Sequence, residues 1–332
     1  MTKSIIITFG LPFIAILIFC SCENGSKEKK EKKKQDATIE QKTNIVKMHP
    51  VLFGGNRYVV EADFGLNEKV PLMIHGNAKM YLMITHDVAE KLNGGNPIEK
   101  LSDYGYSKKG RGRIDIENFK IGDKTFSNIQ NVPVFDWPEE EGKDSQGMLG
   151  TVFLKNENTR IDFTNEQIEI GVKISDKPDK SLLDQGYEFT KFIINENYEV
   201  FMNVFFDALQ KEIPITISTV SSELSLHVIL FKEKIKMKKT KHETNSSGHD
   251  SPKGTNVEDF IADSVIYSLG KFTFNSQAEL FDFAKYNDVK ESDLHTYGIF
   301  GRDWMKKNNA IIDYANQILY FKTNTTSDSK VK

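Results

Sequence analysis

Two polar side chains stand where chemistry could be done. His75 ends the apolar run Val70-Pro71-Leu72-Met73-Ile74, and Ser218 ends Ile213-Pro214-Ile215-Thr216-Ile217, a similar run with its proline in the same place. An imidazole acting as general base on a hydroxyl nucleophile is a reasonable dyad. It needs a group to orient the imidazole and an oxyanion hole, and neither is visible in the sequence. A metal centre on His75 is no better supported, because His86 and His227 show no spacing that converges on it. No metal or other cofactor is expected.

The two runs belong to a longer repeat, which has to be recognised before any fold is assigned. Pro214 lies 143 residues after Pro71, and Ser218 the same distance after His75. Further on, Gly147-Met148-Leu149-Gly150-Thr151-Val152-Phe153-Leu154-Lys155 is echoed by Gly298-Ile299-Phe300-Gly301-Arg302-Asp303-Trp304-Met305-Lys306 at a spacing of 151. The same spacing pairs Ile161-Asp162-Phe163 with Ile312-Asp313-Tyr314, and Asn165 with Asn316. A glycine turn, short helix and closing hairpin are therefore expected twice. The eight residues by which the spacings differ are read as an insertion over Lys238 to Gly254, a polar stretch expected to form a long hairpin or loop.

The rest of the pattern is β-rich. Short runs such as Tyr58–Ala62, Ile114–Ile116, Thr159–Phe163 and Gln167–Ile170 are separated by Gly, Asn, Asp and Lys turns. The clearest helix is 85–92, with Thr85 as its cap and Val88, Ala89 and Leu92 on one face.

Composition narrows the class mainly by exclusion. The 332 residues suffice for two cores, and a formal net charge of −3 leaves no global basic field for nucleic acid. Lys3 precedes an apolar run from Ile5 to Phe19, followed by Cys20-Ser21-Cys22. That run falls short of the roughly 20 residues of a spanning helix and reads as a signal peptide. It resembles a bacterial lipoprotein signal, which implies acylation of Cys22 and a lipid-anchored protein of the cell envelope, exposed outside the cytoplasm. An uncleaved anchor or plain secretion are the alternatives. The only two cysteines lie in this segment, so no disulfide is expected in the mature chain. Lysine-rich, apolar-poor residues 22–44 read as a tether.

An apolar strand ending in Asp-Thr-Gly-Ala-Ser, a short helix, then a Gly-x-x-Gly turn leading to a Phe-Leu helix and an Ile-Asp-Phe/Tyr strand is the pattern of retropepsin-like aspartic proteases. Both copies resemble it, over 45–172 and 186–323, with 1–21 as signal peptide, 173–185 as linker and 324–332 as a tail. The resemblance implies an all-β fold with few short helices, in which two acid-protease-like β-barrel lobes in one monomeric chain close as an intramolecular pseudo-dimer around a cleft. The alternative is any duplicated β domain whose glycines only reverse the chain.

That family's chemistry needs two carboxylates sharing one proton, one charged to draw a proton from water and one protonated to polarise the scissile carbonyl. Here the first is replaced by His75 and the second by Ser218, which would lie near each other and hydrogen-bond across the old dyad position. The family's locking threonine is Gly76 in the first turn and survives as Thr219 in the second. Its turn glycine is Asn77 in the first and Val220 in the second, where β-branched Val resists left-handed angles. Asp263-Ser264-Val265 falls in a strand after the insertion rather than at a turn. Proteolysis is not expected. A cleft that binds an extended peptide or protein is, with Gly76, Asn77 and Thr219 on its floor and Gly110, Arg111 and Gly112 in the first flap. Lysine-rich flaps favour an acidic ligand, although loop tips are also lysine-rich for solubility. Two alternatives remain: a hydrolase or peptidase with a non-standard site at His75 and Ser218, and a structural envelope lipoprotein.

Overall fold

The computed structural model of the protein describes residues 43–51, 57–104, 107–136, 144–221, 223–245 and 256–323. The signal segment, Cys22, the tether up to residue 42 and the tail 324–332 lie outside the described residues. The first strand, Asn44–Lys47, begins inside the range read as tether.

Alternating burial along the strands builds two sheets of the same design. In the first lobe the strand order is His49–Val51, Arg57–Asp63, Val70–His75, Gly147–Gly150, Leu82–Ile84, Lys124–Val134, Ser107–Ile121, Ser102–Tyr104. In the second it is Ile193–Ile194, Val200–Phe206, Lys211–Ile217, Gly298–Phe300, Ser225–His227, Phe272–Phe281, Asn256–Leu269, Lys238–Asn245. Each sheet curls on itself through a second pairing, Ala62 with Ile121 in one and Phe206 with Tyr267 in the other. Full burial of residues such as Leu72, Phe153, Phe206 and Phe300 contributes roughly 1.5–3 kcal/mol each. The expected all-β, two-lobed architecture is the one observed.

A third sheet of six strands takes three from each half of the chain, and it joins the lobes into one unit over the described residues. Its central pair is Thr159–Asp162 against Ile311–Asp313, in the register Arg160↔Asp313, Ile161↔Ile312, Asp162↔Ile311. Because equivalent residues are 151 apart, Ile161 and Ile312 are mates of each other and mark the pseudo-two-fold axis. The linker contributes a short helix, Lys180–Asp184, whose Leu182 packs with Ile311, Ile318 and Tyr320 of this sheet.

Three expectations change on the structure. The Gly-x-x-Gly segments are strands rather than turns: Gly147–Gly150 runs parallel to Val70–His75, and Gly298–Phe300 parallel to Lys211–Ile217. Their glycines are required by close backbone approach, since a Cβ on Gly298 would sit 2.6 Å from the Ser225 carbonyl oxygen. Thr85 does occupy the cap position of helix His86–Leu92, but its side chain makes no cap bond. Asp136 reaches across instead and accepts from the His86 amide at 3.0 Å.

The third change concerns the eight-residue surplus, which has two sources. Strand registers make Met83 equivalent to Ser225 (142 apart), Gly112 to Phe260 (148 apart) and Val134 to Leu280 (146 apart). Six extra residues therefore fall between the strand Leu82–Ile84 equivalent and the long hairpin, in and before the second flap. Five more, the step from 146 to 151, lie in the connection Asp282–Tyr297, and one residue lost after the turn (143 to 142) and two lost within the long hairpin (148 to 146) bring the net surplus to eight. This connection forms the helix Phe283–Tyr286 and packs Phe283, Tyr286 and Leu294 with Phe281 and Ile299. The surplus over Lys238 to Gly254 is a hairpin whose arms pair Asn245 with Asn256, and residues 246–255 lie outside the described residues.

Candidate functional site

The two turns that follow Val70–His75 and Lys211–Ile217 meet between the lobes. In the first, the Ala78 amide donates to the His75 carbonyl at 3.0 Å, closing a tight turn. In the second, the Ser218 hydroxyl accepts from the amides of Val220 (3.3 Å) and Ser221 (3.1 Å). Asn77 and Val220 both keep negative φ, so neither turn uses the left-handed backbone at that position.

His75 and Ser218 are not joined. The Ser218 hydroxyl, fully buried, donates across the lobes to Asn77 Oδ1 at 3.4 Å, and among the described residues its partners are Asn77, Val220 and Ser221 rather than His75. The amide side chain of Asn77 supplies a carbonyl acceptor from the opposite turn, so the hydroxyl needs no imidazole. Among the described residues no three His, Cys, Asp or Glu side chains gather into a metal-binding group.

The lock between the turns is half retained and half rebuilt. Thr219 Oγ1 accepts from the Gly76 amide at 2.8 Å and donates to the Ile74 carbonyl at 2.8 Å, both across the lobe boundary. The place of the missing threonine side chain is taken by Tyr314. A Cβ added to Gly76 would overlap the Tyr314 hydroxyl oxygen and lie 2.9 Å from Thr219 Cγ2. The Tyr314 hydroxyl donates to the Gly76 carbonyl at 3.5 Å, alongside Thr151 Oγ1 at 2.9 Å. Complete burial pushes the Tyr314 phenol up from its ordinary range, which keeps it protonated as a donor. Its equivalent in the first lobe, 151 residues earlier, is Phe163, which has no hydroxyl.

Beside the turns, the face of the first sheet opposite the main core is rich in methionine. Met73 lies on the same face as His75 by the two-residue period of a strand. It packs with Val59, Met83, Met148 and Phe135, and Ala78, Met80, Tyr104 and Val220 close over them. Tyr104 belongs to the first flap hairpin, pairs with Ser107 and lies 4.7 Å from the Phe135 ring. The Arg111 guanidinium lies over the Tyr104 ring, 4.1 Å from its centre. Gly110 and Gly112 serve the opposite face. Side chains there would run into Lys100 Cε at 2.7 Å and Ile98 Cγ2 at 2.5 Å, so these glycines let segment 98–102 lie against the hairpin. Of the three flap residues, only Arg111 reaches the methionine-lined side.

A charged clasp also crosses the lobes beside the first turn. Glu199 Oε1 accepts from Lys79 Nζ at 2.6 Å, and Oε2 lies 3.0 Å from His295 Nδ1 and accepts from Asn195 at 2.7 Å. Partial burial opposes ionisation, but the hydrogen bonds from Lys79, His295 and Asn195 prevail and hold the carboxyl down at about 2. Sequence reasoning missed Tyr314, Thr151 and this clasp. The Tyr314/Phe163 difference at one repeat position was the readable signal for the first. Lys79 and Glu199 carry no motif.

No protein-family model matches the chain, and no curated protein matches it. Among solved structures, the chain is similar to a basic 7S globulin from soybean at 9% identity, over 84% of this chain and 94% of that one, with a TM-score of 0.42. Conglutin gamma, a basic 7S globulin from lupine seeds, gives 11% identity, 86% and 96% coverage and a TM-score of 0.46. A retropepsin-like aspartic protease from Rickettsia conorii gives 20% identity over 39% of this chain and 90% of that one, with a TM-score of 0.27. These likenesses concern the fold alone. The chain's own duplicated strand order, shared sheet and paired turns define a retropepsin-like double barrel.

Proposed function

We propose that this protein is a catalytically inactive, aspartic-protease-like lipoprotein that binds a peptide or protein in the cleft between its lobes. The observation that carries this reading is the state of the dyad positions: no carboxylate at either one, and a buried Ser218 hydroxyl held by Asn77. The framework around that position is kept, with paired turns, two flap hairpins and the shared sheet. A ligand laid along the first lobe would meet the Tyr104 and Arg111 flap and a methionine-rich floor, and methionine adapts to varied side chains.

Incubation of the full-length protein with a peptide library across the acid range tests the reading by mass spectrometry. Uncleaved peptides, with a subset retained on the protein, are the expected result. Cleavage with an acid optimum overturns it. Cleavage abolished by His75→Ala or Ser218→Ala would instead establish a hydrolase of unusual mechanism. The anchor on Cys22 is tested separately: Cys22→Ser should move the protein from the detergent phase to the aqueous phase on phase partition, and an unchanged distribution removes the lipid from the reading.

A further inference from the structure

A second interaction surface lies outside the cleft, on the outer side of the second flap. Segment 232–241 reads Lys-Glu-Lys-Ile-Lys-Met-Lys-Lys-Thr-Lys, six lysines against one glutamate. It follows the helix Val228–Phe231 and runs into Lys238–Asn245, the terminal strand of the second eight-stranded sheet. A concavity of about 630 Å³ opens there. Ile235, Met237 and Ile261 give it an apolar floor, and Lys232, Lys236 and Lys238 stand around it. Asp263, also on its wall, is taken by Lys238 at 3.2 Å. Lys239 holds the nearby Glu258 at 2.5 Å, and the fields of Lys239, Lys285 and Lys232 keep that carboxyl below its ordinary range. Among the described residues, Asp263 and Glu258 are thus matched by Lys238 and Lys239, which leaves Lys232, Lys234 and Lys236 against Glu233, an excess of two positive charges. The first flap differs, since its Lys100 and Lys109 are matched by Asp103 and Glu90.

We infer that this groove docks an extended acidic segment of a partner protein, which adds as a strand along Lys238–Asn245 and places an apolar side chain on the Ile235, Met237 and Ile261 floor. Lys238–Asn245 is the terminal strand of its sheet and pairs on one side with Asn256–Leu269. Lysines on an edge discourage pairing with a neutral or basic strand. They select an acidic one, because opposite charges attract and wrong partners meet like charge. A second copy of this chain would bring lysine against lysine, and the chain's own segment Lys27–Lys34 is itself basic. A concave site beside a sheet's terminal strand suits a chain segment rather than a flat anionic membrane. The inference does not rest on the cleft reading.

The test is fluorescence anisotropy of the full-length protein with a labelled octapeptide that alternates Glu and Val, against one that alternates Lys and Val. The Glu-Val peptide should bind, the Lys-Val peptide should not, and added salt should weaken the complex. The double substitution Lys232→Glu, Lys236→Glu changes exposed side chains only, and an unchanged melting temperature confirms its fold. It should weaken the Glu-Val peptide at least tenfold, and Ile261→Asp should weaken it several-fold. Equal binding of both peptides, or undiminished binding by the double variant, overturns the inference. So does capture of phosphatidylglycerol vesicles without binding of the Glu-Val peptide.

Discussion

The second turn keeps a threonine and the first does not, yet both are fastened. Thr219 bonds to two backbone groups of the first lobe, whereas Gly76 offers only its backbone and receives the Tyr314 hydroxyl in the space its side chain would have filled. By the repeat spacings Thr219 and Phe163 occupy the positions equivalent to Gly76 and Tyr314, so each set supplies one ring and one hydroxyl group. The comparison teaches that the lock between lobes depends on filled volume and satisfied backbone groups, whichever residue supplies the hydroxyl. The same inequality recurs in the shared sheet. Asp162 and Asp313 are equivalent, and each accepts from the asparagine amide three residues on, but among the described residues only Asp313 meets an arginine, Arg160, at 2.9 Å. The mate of Arg160 is Ile311.

The largest break in this symmetry should come from Arg160→Ala. It leaves the fully buried Asp313 without its cationic partner, and removing one member of a buried pair costs about 3–5 kcal/mol. Urea unfolding should show the loss, and an unchanged midpoint would mean that the six-stranded sheet does not depend on the pair. Gly76→Thr gives the first turn the threonine of the second but collides with Tyr314, so a destabilisation of about 1–3 kcal/mol is expected. Adding Tyr314→Phe should recover much of that loss, because it removes the hydroxyl oxygen that a Cβ at position 76 meets and gives both repeats the same Thr and Phe. A double-mutant cycle with no coupling would refute the reciprocal exchange.

Thr219→Val removes an acceptor for Gly76 and a donor for Ile74. Leaving a buried backbone group unsatisfied costs about 1–3 kcal/mol, and the hydroxyl of Tyr314 cannot reach both. The smallest effect belongs to the clasp. Glu199 has a carboxyl depressed to about 2 from the ordinary 4.5, so its contribution is present above the unfolded value and is lost as pH falls from about 4.5 through about 2. Lys79 is half exposed, which limits the pair to about 1 kcal/mol. Glu199→Gln should lower stability near neutral pH by that amount and flatten this part of the acid transition. An identical pH profile for both proteins would remove the clasp from the account.

Much of the site was legible because the duplication is written in covalent order. Offsets of 143 and 151 located both turns, both Gly-x-x-Gly strands and the Ile-Asp-Phe/Tyr pair, and the β-rich runs implied sheets before any tertiary contact was known. The same reading placed the whole surplus in the second flap. Register divides it with the connection Asp282–Tyr297, because only strand pairing reveals which residues are equivalent inside dissimilar loops.

The sequence by itself determined that two lobes of one design must exist and that neither can place a carboxylate at its turn. Residue identities and their spacing settle both, since strand periodicity and the absence of an acid are properties of the chain. What met across the lobes was decided only by tertiary structure. Ser218 bonds to Asn77 rather than to His75, Tyr314 fills the volume beside Gly76, and Glu199 clasps Lys79. Such pairings are separated by more than a hundred residues and depend on distances of a few tenths of an ångström, which no local pattern encodes.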